Sequence, residues 1–209
     1  SEKIRDKIEG LKSKDLDLWK VYARGITGRI EGLIFKKWYI LKEDFSNKNL
    51  IGYGIDFGFT NDPTTLIEVR MQDGDLYVKE LIYETGLTNQ DISIKMEALG
   101  VGKSALIVAD SSEPKSIEEL RRLRWTIDGV KKGKDSVMFG INLLKGYAIN
   151  VHASSVNLIK ELEQYKWKVN KNGDSLNVPI DEYNHAIDAL RYLIMHKFSK
   201  KGYGTYTVI

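Results

Sequence analysis

Apolar and polar residues alternate in the second quarter of the chain in the way that β-strands require. Leu50–Phe57 is a strand pattern that ends in an acidic residue and runs into a glycine turn. Two further strand patterns follow at Thr64–Met71 and Leu76–Tyr83, and the Asp73-Gly74 pair between them is a strong hairpin signal. The pattern therefore predicts three consecutive antiparallel strands.

Helical and strand patterns alternate in the remainder of the chain. Thr88 is positioned to cap a helix that ends near Leu99, and the continuous apolar run 105–109 is typical of a buried strand. The next elements are predicted in the order helix 114–123, strand 125–128, helix 135–144, strand 148–151, helix 155–165, hairpin 167–178 and helix 181–198. We expect an α/β fold in which helices flank a mixed central sheet whose first three strands are antiparallel, with an extra β-hairpin.

Composition along the chain indicates three parts. Residues 1–45 are rich in charged residues and punctuated by glycines, and we expect them to form a linker or docking arm. Residues 46–198 contain the strand and helix patterns and form the expected main domain, whereas 199–209 is predicted to be a basic, flexible tail. Ser1 stands where an initiator Met would be, which indicates an excised piece or a processed product.

The cysteine count narrows the chemistry available to the protein. The 209 residues include 32 Lys or Arg, 29 Asp or Glu, three His and no Cys, for a formal net charge of +3. Disulfide frameworks, thiol nucleophiles, Cys-ligated zinc and iron–sulfur clusters are therefore excluded, whereas carboxylates are plentiful enough for a hard-cation site. No apolar run approaches the roughly 20 residues that span a bilayer, and no signal-peptide pattern opens the chain. We expect a cytosolic protein without a membrane partner.

Three aspartates are candidates for binding divalent cations. Asp56 ends the first predicted strand, Asp110 ends the buried fourth strand, and Asp188 lies within the last helix. Ligands collect at the carboxyl ends of strands in open α/β sheets, and two cations about 3.5–4 Å apart would stabilise the attacking and leaving oxygens of a phosphodiester hydrolysis. Asp56 and Asp110 have alternative interpretations as a turn residue and a helix cap. Asp188 is harder to explain structurally, because it is predicted to lie mid-helix among core-like neighbours, where a carboxylate needs a cation or hydrogen-bond donors.

His185 precedes Asp188 by three residues, so the two side chains share a helix face. An imidazole in this position could ligate a second ion, orient a water or assist proton transfer. The alternative is a surface histidine near the start of a helix. If the aspartates cluster, we expect that replacing any one of them with alanine leaves the fold intact or stabilised, because repulsion between like charges is relieved.

Three motifs together resemble the nuclease domain of phage terminase large subunits. They are Tyr53-Gly54-Ile55-Asp56-Phe57-Gly58 with the following Asp62-Pro63-Thr64, then Val108-Ala109-Asp110-Ser111, and then Asn184-His185-Ala186-Ile187-Asp188-Ala189-Leu190-Arg191-Tyr192. In addition, Glu31–Phe35 with Trp38 is similar to the segment that joins the packaging ATPase to the nuclease, and Lys132–Ser136 is similar to the family's Lys-Gly-x-x-Ser stretch. The similarity extends from about residue 22 to residue 198.

The resemblance implies an RNase H-like nuclease domain over 46–198, which acts as a divalent-metal-dependent endonuclease on concatemeric viral double-stranded DNA at the initiation and termination of packaging. It implies that Asp56, Asp110 and Asp188 bind Mg²⁺ or Mn²⁺, with two ions in the catalytic complex, and that His185 is an accessory catalytic residue. It also implies three partners in the host cell cytoplasm: the ATPase domain of the same polypeptide, the terminase small subunit, and the portal or procapsid. The chain lacks the phosphate loop of such an ATPase, and we therefore expect an isolated nuclease domain.

Two groups of lysines are candidates for contacting DNA phosphates without reading sequence. One group, in a loop, is Lys131, Lys132 and Lys134, and the other, at the second hairpin, is Lys166, Lys168 and Lys171. A solvated surface is the alternative interpretation of each group. The hairpin is favoured, because a protruding basic ribbon beside an acidic site could guide DNA toward it.

Three other classes of protein remain alternatives at this point. A resolvase-type or transposase-type nuclease would share the same fold. A nucleotide-binding domain of the actin or sugar-kinase class would use Gly54–Thr60 as a phosphate loop, although 209 residues accommodate its second lobe poorly. A domain that only docks DNA or the portal would leave Asp188 and His185 unexplained.

Overall fold

A computed structural model describes Glu9, residues 32–130, Gly133 and residues 135–198. Two compact units are distinguished in this part of the chain: residues 32–34 group with 164–180, and residues 35–163 group with 181–198. Each unit joins segments that are distant in sequence. The three parts expected from the sequence, 1–45, 46–198 and 199–209, are continuous segments, and their boundaries stay predictions. In the described residues, no helix is long and apolar enough to cross a membrane.

The larger unit contains a seven-stranded mixed sheet. Its strands are β1 (Trp38–Leu41), β2 (Asn49–Asp56), β3 (Thr64–Gln72), β4 (Asp75–Glu84), β5 (Ile107–Asp110), β6 (Ile127–Val130) and β7 (Ile149–His152), and their spatial order is β1-β7-β4-β3-β2-β5-β6. The strands β2, β3 and β4 are antiparallel to one another, as the sequence predicts. The remaining neighbours pair in parallel, with β5 and β6 continuing from β2, and β7 and β1 from β4.

Five helices complete the described part of the fold. They are α1 (Asn89–Ala98), α2 (Pro114–Arg122), α3 (Ser136–Lys145), α4 (Val156–Gln164) and α5 (His185–Phe198). The predicted cap of α1 is present, because the Thr88 side chain accepts a hydrogen bond from the Asp91 amide, and the Asp91 carboxylate accepts one from the Thr88 amide. The structure is thus a mixed α/β fold with flanking helices, as expected from the sequence.

The two faces of the sheet carry different helices, and β2 shows which residues face each side. Tyr53 and Ile55 belong to a buried cluster that includes Ile92 of α1 and Leu120 of α2. Successive side chains of a strand point to opposite faces, so Gly54 and Asp56 face the other way. The helix α5 contacts β2, β3, β5 and β6.

Some element boundaries in the larger unit differ from the sequence predictions. The segment expected to be part of an arm contains β1, which pairs in parallel with β7 at the edge of the sheet. The strand predicted at 125–128 begins instead at Ile127, because Arg124 has a left-handed backbone (φ 66°) and the Trp125 amide donates to the Leu120 carbonyl of α2 at 3.1 Å.

The smaller unit contains the predicted extra hairpin. Its strands are β8 (Trp167–Val169) and β9 (Ser175–Pro179), which pair in an antiparallel sense. The turn is held by Asn170, whose Oδ1 accepts hydrogen bonds from the amides of Asn172 and Asp174 at 2.9 Å each. On the other side of the hairpin, Leu33 forms an isolated antiparallel bridge with Lys166.

Candidate active site

The parallel pairing of β2 and β5 places two of the candidate aspartates at matching strand ends. Tyr53 is aligned with Ile107 and Gly54 with Val108, so two residues further on the same register brings Asp56 beside Asp110. Gly54 and Val108 lie on the face of the sheet opposite Tyr53 and Ile107. Asp56 and Asp110 follow them by two residues each, so both aspartates lie on that same face. Asp110 is 9% exposed, and its Oδ1 accepts a hydrogen bond from the Ser112 amide at 3.0 Å.

The third candidate aspartate is carried to this face by a close approach of α5 to β2. A Cβ atom on Gly54 would lie only 1.8 Å from the carbonyl oxygen of Ala189. Glycine is therefore required at this point of β2, since any side chain would push the helix away. Asp188, the neighbour of Ala189, is thus held over the strand that ends in Asp56.

The start of α5 determines how Asp188 is presented. Helix 181–198 was expected from the sequence, but the helix begins at His185, because Tyr183 has a left-handed backbone (φ 57°) that a helix cannot accommodate. Asp188 consequently lies in the first turn of α5 and not mid-helix. A carboxylate there is favoured by the helix dipole, so helix propensity does not argue against a structural position for this residue.

The His185 ring lies between two carboxylates. Its Nδ1 is 3.5 Å from Asp56 Oδ2, and its Nε2 is 3.6 Å from Asp62 Oδ1. The hydrogen bond with Asp56 raises the pKa of His185, and the charges of Asp56, Glu161 and Asp62 add to the effect against the opposing influence of burial. The Thr65 hydroxyl also fixes this residue by donating to the His185 carbonyl oxygen at 3.1 Å.

Asp62 was not singled out as a site residue from the sequence, although the Asp62-Pro63-Thr64 motif was noticed. The loop that carries it is tightly closed: Thr64 Oγ1 donates to the Gly58 carbonyl at 2.8 Å and accepts from the Gly58 amide at 3.2 Å. A Cβ on Gly58 would lie 2.2 Å from the Asp62 carbonyl oxygen. The glycine and the threonine of this motif therefore direct Asp62 toward His185.

Asp188 forms an ion pair with a fully buried arginine. Arg191 is 1% exposed, and its Nη2 and Nε lie 3.0 and 3.1 Å from Asp188 Oδ1. The stem of Arg191 packs against Gly140 of α3, where a Cβ would lie 2.4 Å from Arg191 Cγ. Arg191 occurs within the motif identified from the sequence, but its burial is set by α3 and could not be predicted from the motif alone.

Tyr192 is a buried phenol of α5 that experiences the charge of all three candidate aspartates. Burial raises the pKa of this phenol well above its usual range, and the negative charges of Asp56, Asp188 and Asp110 all act in the same direction. Tyr192 is almost completely buried in α5. Asp188 of α5 and the strand ends at Asp56 and Asp110 thus lie on the same face of the sheet.

A buried glutamate beside the site was missed in the sequence. Glu161 of α4 accepts hydrogen bonds from the Tyr83 hydroxyl and from the Ile187 amide, each at 3.0 Å. Burial raises the pKa of Glu161 to about 7, against the opposing effect of the hydrogen bonds that it accepts, including one from the Ala186 amide. The available signal was its position in an apolar stripe, Leu158-Glu161-Leu162, where a leucine or isoleucine would be expected.

The donor set at this edge of the sheet consists of carboxylates and one imidazole. Hard divalent cations such as Mg²⁺ and Mn²⁺ prefer these oxygen ligands, so the chemistry of Asp56, Asp110 and Asp188 fits such an ion. Within 32–130 and 135–198, no group of three or more His, Asp or Glu side chains is spaced so that it could hold a metal ion.

The predicted DNA-binding lysines are placed differently in the two groups. Lys131, Lys132 and Lys134 lie outside the described residues. Lys168 and Lys171 are exposed on the hairpin of the smaller unit, whereas Lys166 is half-buried. Their contact with DNA stays a prediction.

The mixed sheet and the acidic edge covered by α5 define an RNase H-like domain. The family model described as "Terminase RNAseH like domain" matches residues 56–196, which is more than half of the chain. The chain therefore belongs to the family of RNase H-like nuclease domains of phage terminase large subunits. The family resemblance and the fold expected from the sequence are both confirmed, and the match favours neither a resolvase or transposase nor a nucleotide-binding class.

Individual relatives agree with this assignment. The chain is 32% identical over 182 residues to the terminase large subunit of Bacillus phage SPP1, covering 82% of this chain and 42% of that protein. It is 24% identical over 198 residues to the PBSX phage terminase large subunit of Bacillus subtilis, covering 90% of this chain and 45% of the relative. The chain thus spans less than half the length of these curated relatives.

A solved structure extends the agreement to three dimensions. The nuclease domain of the bacteriophage SPP1 large terminase, crystallised with bound Mn, superimposes with a TM-score of 0.69 at 29% sequence identity. The superposition covers 78% of this chain and 98% of the SPP1 domain.

Proposed function

We propose that this chain is a divalent-metal-dependent endonuclease, which hydrolyses phosphodiester bonds of concatemeric viral double-stranded DNA when genome packaging begins and ends. The observation that carries the proposal is that Asp56 and Asp110 end adjacent parallel strands, while Asp188 lies in the first turn of the helix that covers β2. Membership of the terminase nuclease-domain family supports it, as does the Mn bound to the SPP1 nuclease domain.

Asp56, Asp110 and Asp188 are the residues that would hold Mg²⁺ or Mn²⁺, with two ions in the catalytic complex. When bound, such ions supply Lewis-acid stabilisation of the charge on the attacking and leaving oxygens. The carboxylates themselves contribute a cluster of negative charge that excludes DNA phosphates until cations neutralise it. Cleavage should consequently require the metal both for binding of the phosphate and for the chemical step.

His185 is proposed to act in proton transfer at the reacting phosphate. Asp56 and Asp62 lie on opposite sides of its ring, and each faces one ring nitrogen. This arrangement fixes the orientation of the imidazole and favours its protonated form. Asp62 is therefore an orienting residue for His185.

The substrate and partners follow from the proposed role in packaging. Lys168 and Lys171 of the hairpin, with Lys166 at its base, are proposed to contact DNA phosphates, as are Lys131, Lys132 and Lys134. Because the chain spans less than half the length of its curated relatives, we propose that an ATPase domain belongs to the same polypeptide. The terminase small subunit and the portal or procapsid are the further proposed partners, in the host cytoplasm.

Cleavage of supercoiled plasmid tests the proposal. The 209-residue chain is incubated with plasmid and Mn²⁺ or Mg²⁺, with EDTA as the control, and the conversion to nicked and linear forms is measured. We expect metal-dependent cleavage that is reduced by a factor of about 100 or more in Asp110→Asn, because a carboxylate that would bind the metal directly is lost.

A matched control variant is available at the same edge of the sheet. Glu84 ends β4 and its carboxylate is about half exposed, paired only on the surface with Lys95. Glu84→Gln therefore removes a strand-end carboxylate away from the candidate site and should cleave like the parent chain. Undiminished cleavage by Asp110→Asn, or equal losses in the two variants, would contradict the site assignment.

A further inference from the structure

Glu161 is a buried carboxylate that lies outside the proposed metal ligands yet touches the helix that carries Asp188 and His185. It is 1% exposed. Its Oε1 accepts from the Tyr83 hydroxyl of β4, and its Oε2 accepts from the Ile187 amide, each at 3.0 Å. The Ala186 amide also donates to this carboxylate. One side chain therefore joins the sheet to the first turn of α5.

The first turn of a helix has amide groups without partners inside the helix, and buried amides require an acceptor. In α5 these amides belong to the residues between His185 and Asp188. The acceptor comes from α4, whose own first turn is held in the same way by β4: Glu80 Oε2 accepts from the Leu158 amide at 2.7 Å, and Oε1 accepts from Asn157 Nδ2 at 2.8 Å. Glu80 and Glu161 thus each hold the first turn of a helix, α4 and α5 respectively.

We propose that Glu161 is a positioning residue for the nuclease site. It accepts hydrogen bonds from the Ala186 and Ile187 amides while it is held at a fixed distance from β4, and it so determines the placement of His185 and Asp188. Only the consequence of this positioning for catalysis rests on the proposed nuclease function. It does not require that Glu161 touch DNA or metal.

The contacts define which substitutions preserve this role. Glutamine keeps the length of the side chain: its carbonyl oxygen can accept from the two helix amides while its amide group donates to the Tyr83 hydroxyl oxygen. Aspartate keeps the negative charge but is one methylene shorter, so it cannot reach Tyr83 and the helix amides together. A role in hydrogen-bond positioning therefore predicts that Glu161→Gln retains the site and Glu161→Asp does not, whereas a role based on charge predicts the reverse.

Mn²⁺ binding to the full 209-residue chain, measured without DNA by water-proton relaxation, is the first readout. We expect Glu161→Asp to weaken Mn²⁺ binding about 10-fold, which is within the range for residues that orient metal ligands, and Glu161→Gln to bind within about twofold of the parent chain. Glu80→Asp is the matched control, because it shortens the same kind of cap one helix earlier. It should lower the melting temperature to a similar extent without changing Mn²⁺ affinity.

A second readout does not depend on metal or cleavage. Amide hydrogen exchange of Ala186 and Ile187 should become faster in Glu161→Asp, with a shift of the His185 ring resonances, and neither should change in Glu161→Gln or Glu80→Asp. Parental exchange and parental Mn²⁺ binding in a folded Glu161→Asp would overturn the inference, as would an equal loss in Glu161→Gln or in Glu80→Asp. If the variants show these exchange effects but the parent chain does not cleave plasmid, the proposed function alone would be rejected.

Discussion

The guanidinium of Arg191 contacts one oxygen of Asp188 through two nitrogens, with Nη2 at 3.0 Å and Nε at 3.1 Å from Oδ1. The arginine is fully buried against Gly140 and also contacts Met195 Sδ and the ring of Tyr192. Asp188 therefore has a structural partner as well as its proposed role as a metal ligand. Substitutions at Asp188 and Arg191 can separate the ion pair from the proposed metal ligation.

The ion pair changes what removal of each aspartate should do to stability. Asp188→Ala leaves a buried guanidinium without its carboxylate, which costs about 3–5 kcal/mol for pairs of this kind. Asp56→Ala and Asp110→Ala remove charge from an acidic cluster and should leave the unfolding free energy unchanged or higher. Urea denaturation in EDTA measures all three, and the sequence-based expectation of equal behaviour is contradicted if only Asp188→Ala is destabilised.

A double variant separates loss of the pair from loss of the carboxylate. Asp188→Leu with Arg191→Met replaces both charges with apolar groups, and such replacements of buried pairs are often neutral or stabilising. We expect the double variant to regain most of the stability that Asp188→Ala loses while remaining inactive. A double variant as unstable as Asp188→Ala would show that the pair is not the source of the effect.

Gly54 tests the close approach between β2 and α5. Gly54→Ala puts a methyl group where the Ala189 carbonyl oxygen now lies, 1.8 Å from the Cβ position, so the helix must move. We expect a loss of stability of about 1–3 kcal/mol and a roughly 100-fold loss of cleavage, since displacement of site groups by about 1 Å has an effect of that size. Gly102→Ala is the control, because nothing lies within 4 Å of its Cβ position, and parental cleavage by Gly54→Ala would contradict the packing argument.

Glu161 should make stability depend on pH near neutrality. Its pKa rises from the ordinary value of 4.5 to about 7 in the folded protein because of burial, so the folded state binds the proton more tightly than the unfolded state does. The resulting stabilisation is fully present below pH 4.5 and is lost as the pH rises through 7, with a magnitude on the order of 3 kcal/mol. Urea titrations between pH 5 and 8 measure the unfolding free energy of the parent and of Glu161→Gln. The pH dependence should be present in the parent and absent in the variant, and its absence from the parent would show that the carboxyl is not buried in solution.

Hairpin lysines should contribute to DNA binding through their charge. The slope of log affinity against log salt is negative, and its magnitude should fall by up to about 2.7 when Lys166, Lys168 and Lys171 are replaced together by Gln. Each duplex phosphate contact contributes about 0.9 to this magnitude. The matched control is the triple Gln variant of three exposed lysines near β1: Lys36, Lys37 and Lys42. Fluorescence anisotropy with duplex DNA measures the slopes, and an equal change in both triple variants would indicate only a general effect of net charge.

The order of strands and helices could be predicted because each element carries its own periodicity. The Asp73-Gly74 hairpin and the buried run before Asp110 are local signals, and both appear where expected. The beginning of α5 could not be predicted in the same way. Pro179 and Asp181 look like a helix start in sequence, but Pro179 ends β9, and the left-handed backbone of Tyr183 delays the helix until His185.

The candidate site was only partly visible in the sequence, for a related reason. Asp56, Asp110, Asp188 and His185 could be selected because strand ends and helix spacing are local properties. Glu161 and Arg191 support the proposed site through contacts with residues more than 20 positions away, namely Ile187 and Gly140 respectively. Their burial depends on how α3, α4 and α5 pack, which a single sequence does not specify.

The parallel pairing of β1 with β7 joins strands that are synthesised at different times. Trp38 is aligned with Ile149, about 110 residues later in the chain, so this pairing closes a far longer loop than the hairpins β2–β3 and β3–β4 do. A chain synthesised only as far as β6 already contains the strands that end in Asp56 and Asp110, but not the partner of β1. Pairing at this edge therefore waits until β7 has been synthesised, and α5 follows later still, so the acidic cluster cannot be complete before α5 has been made.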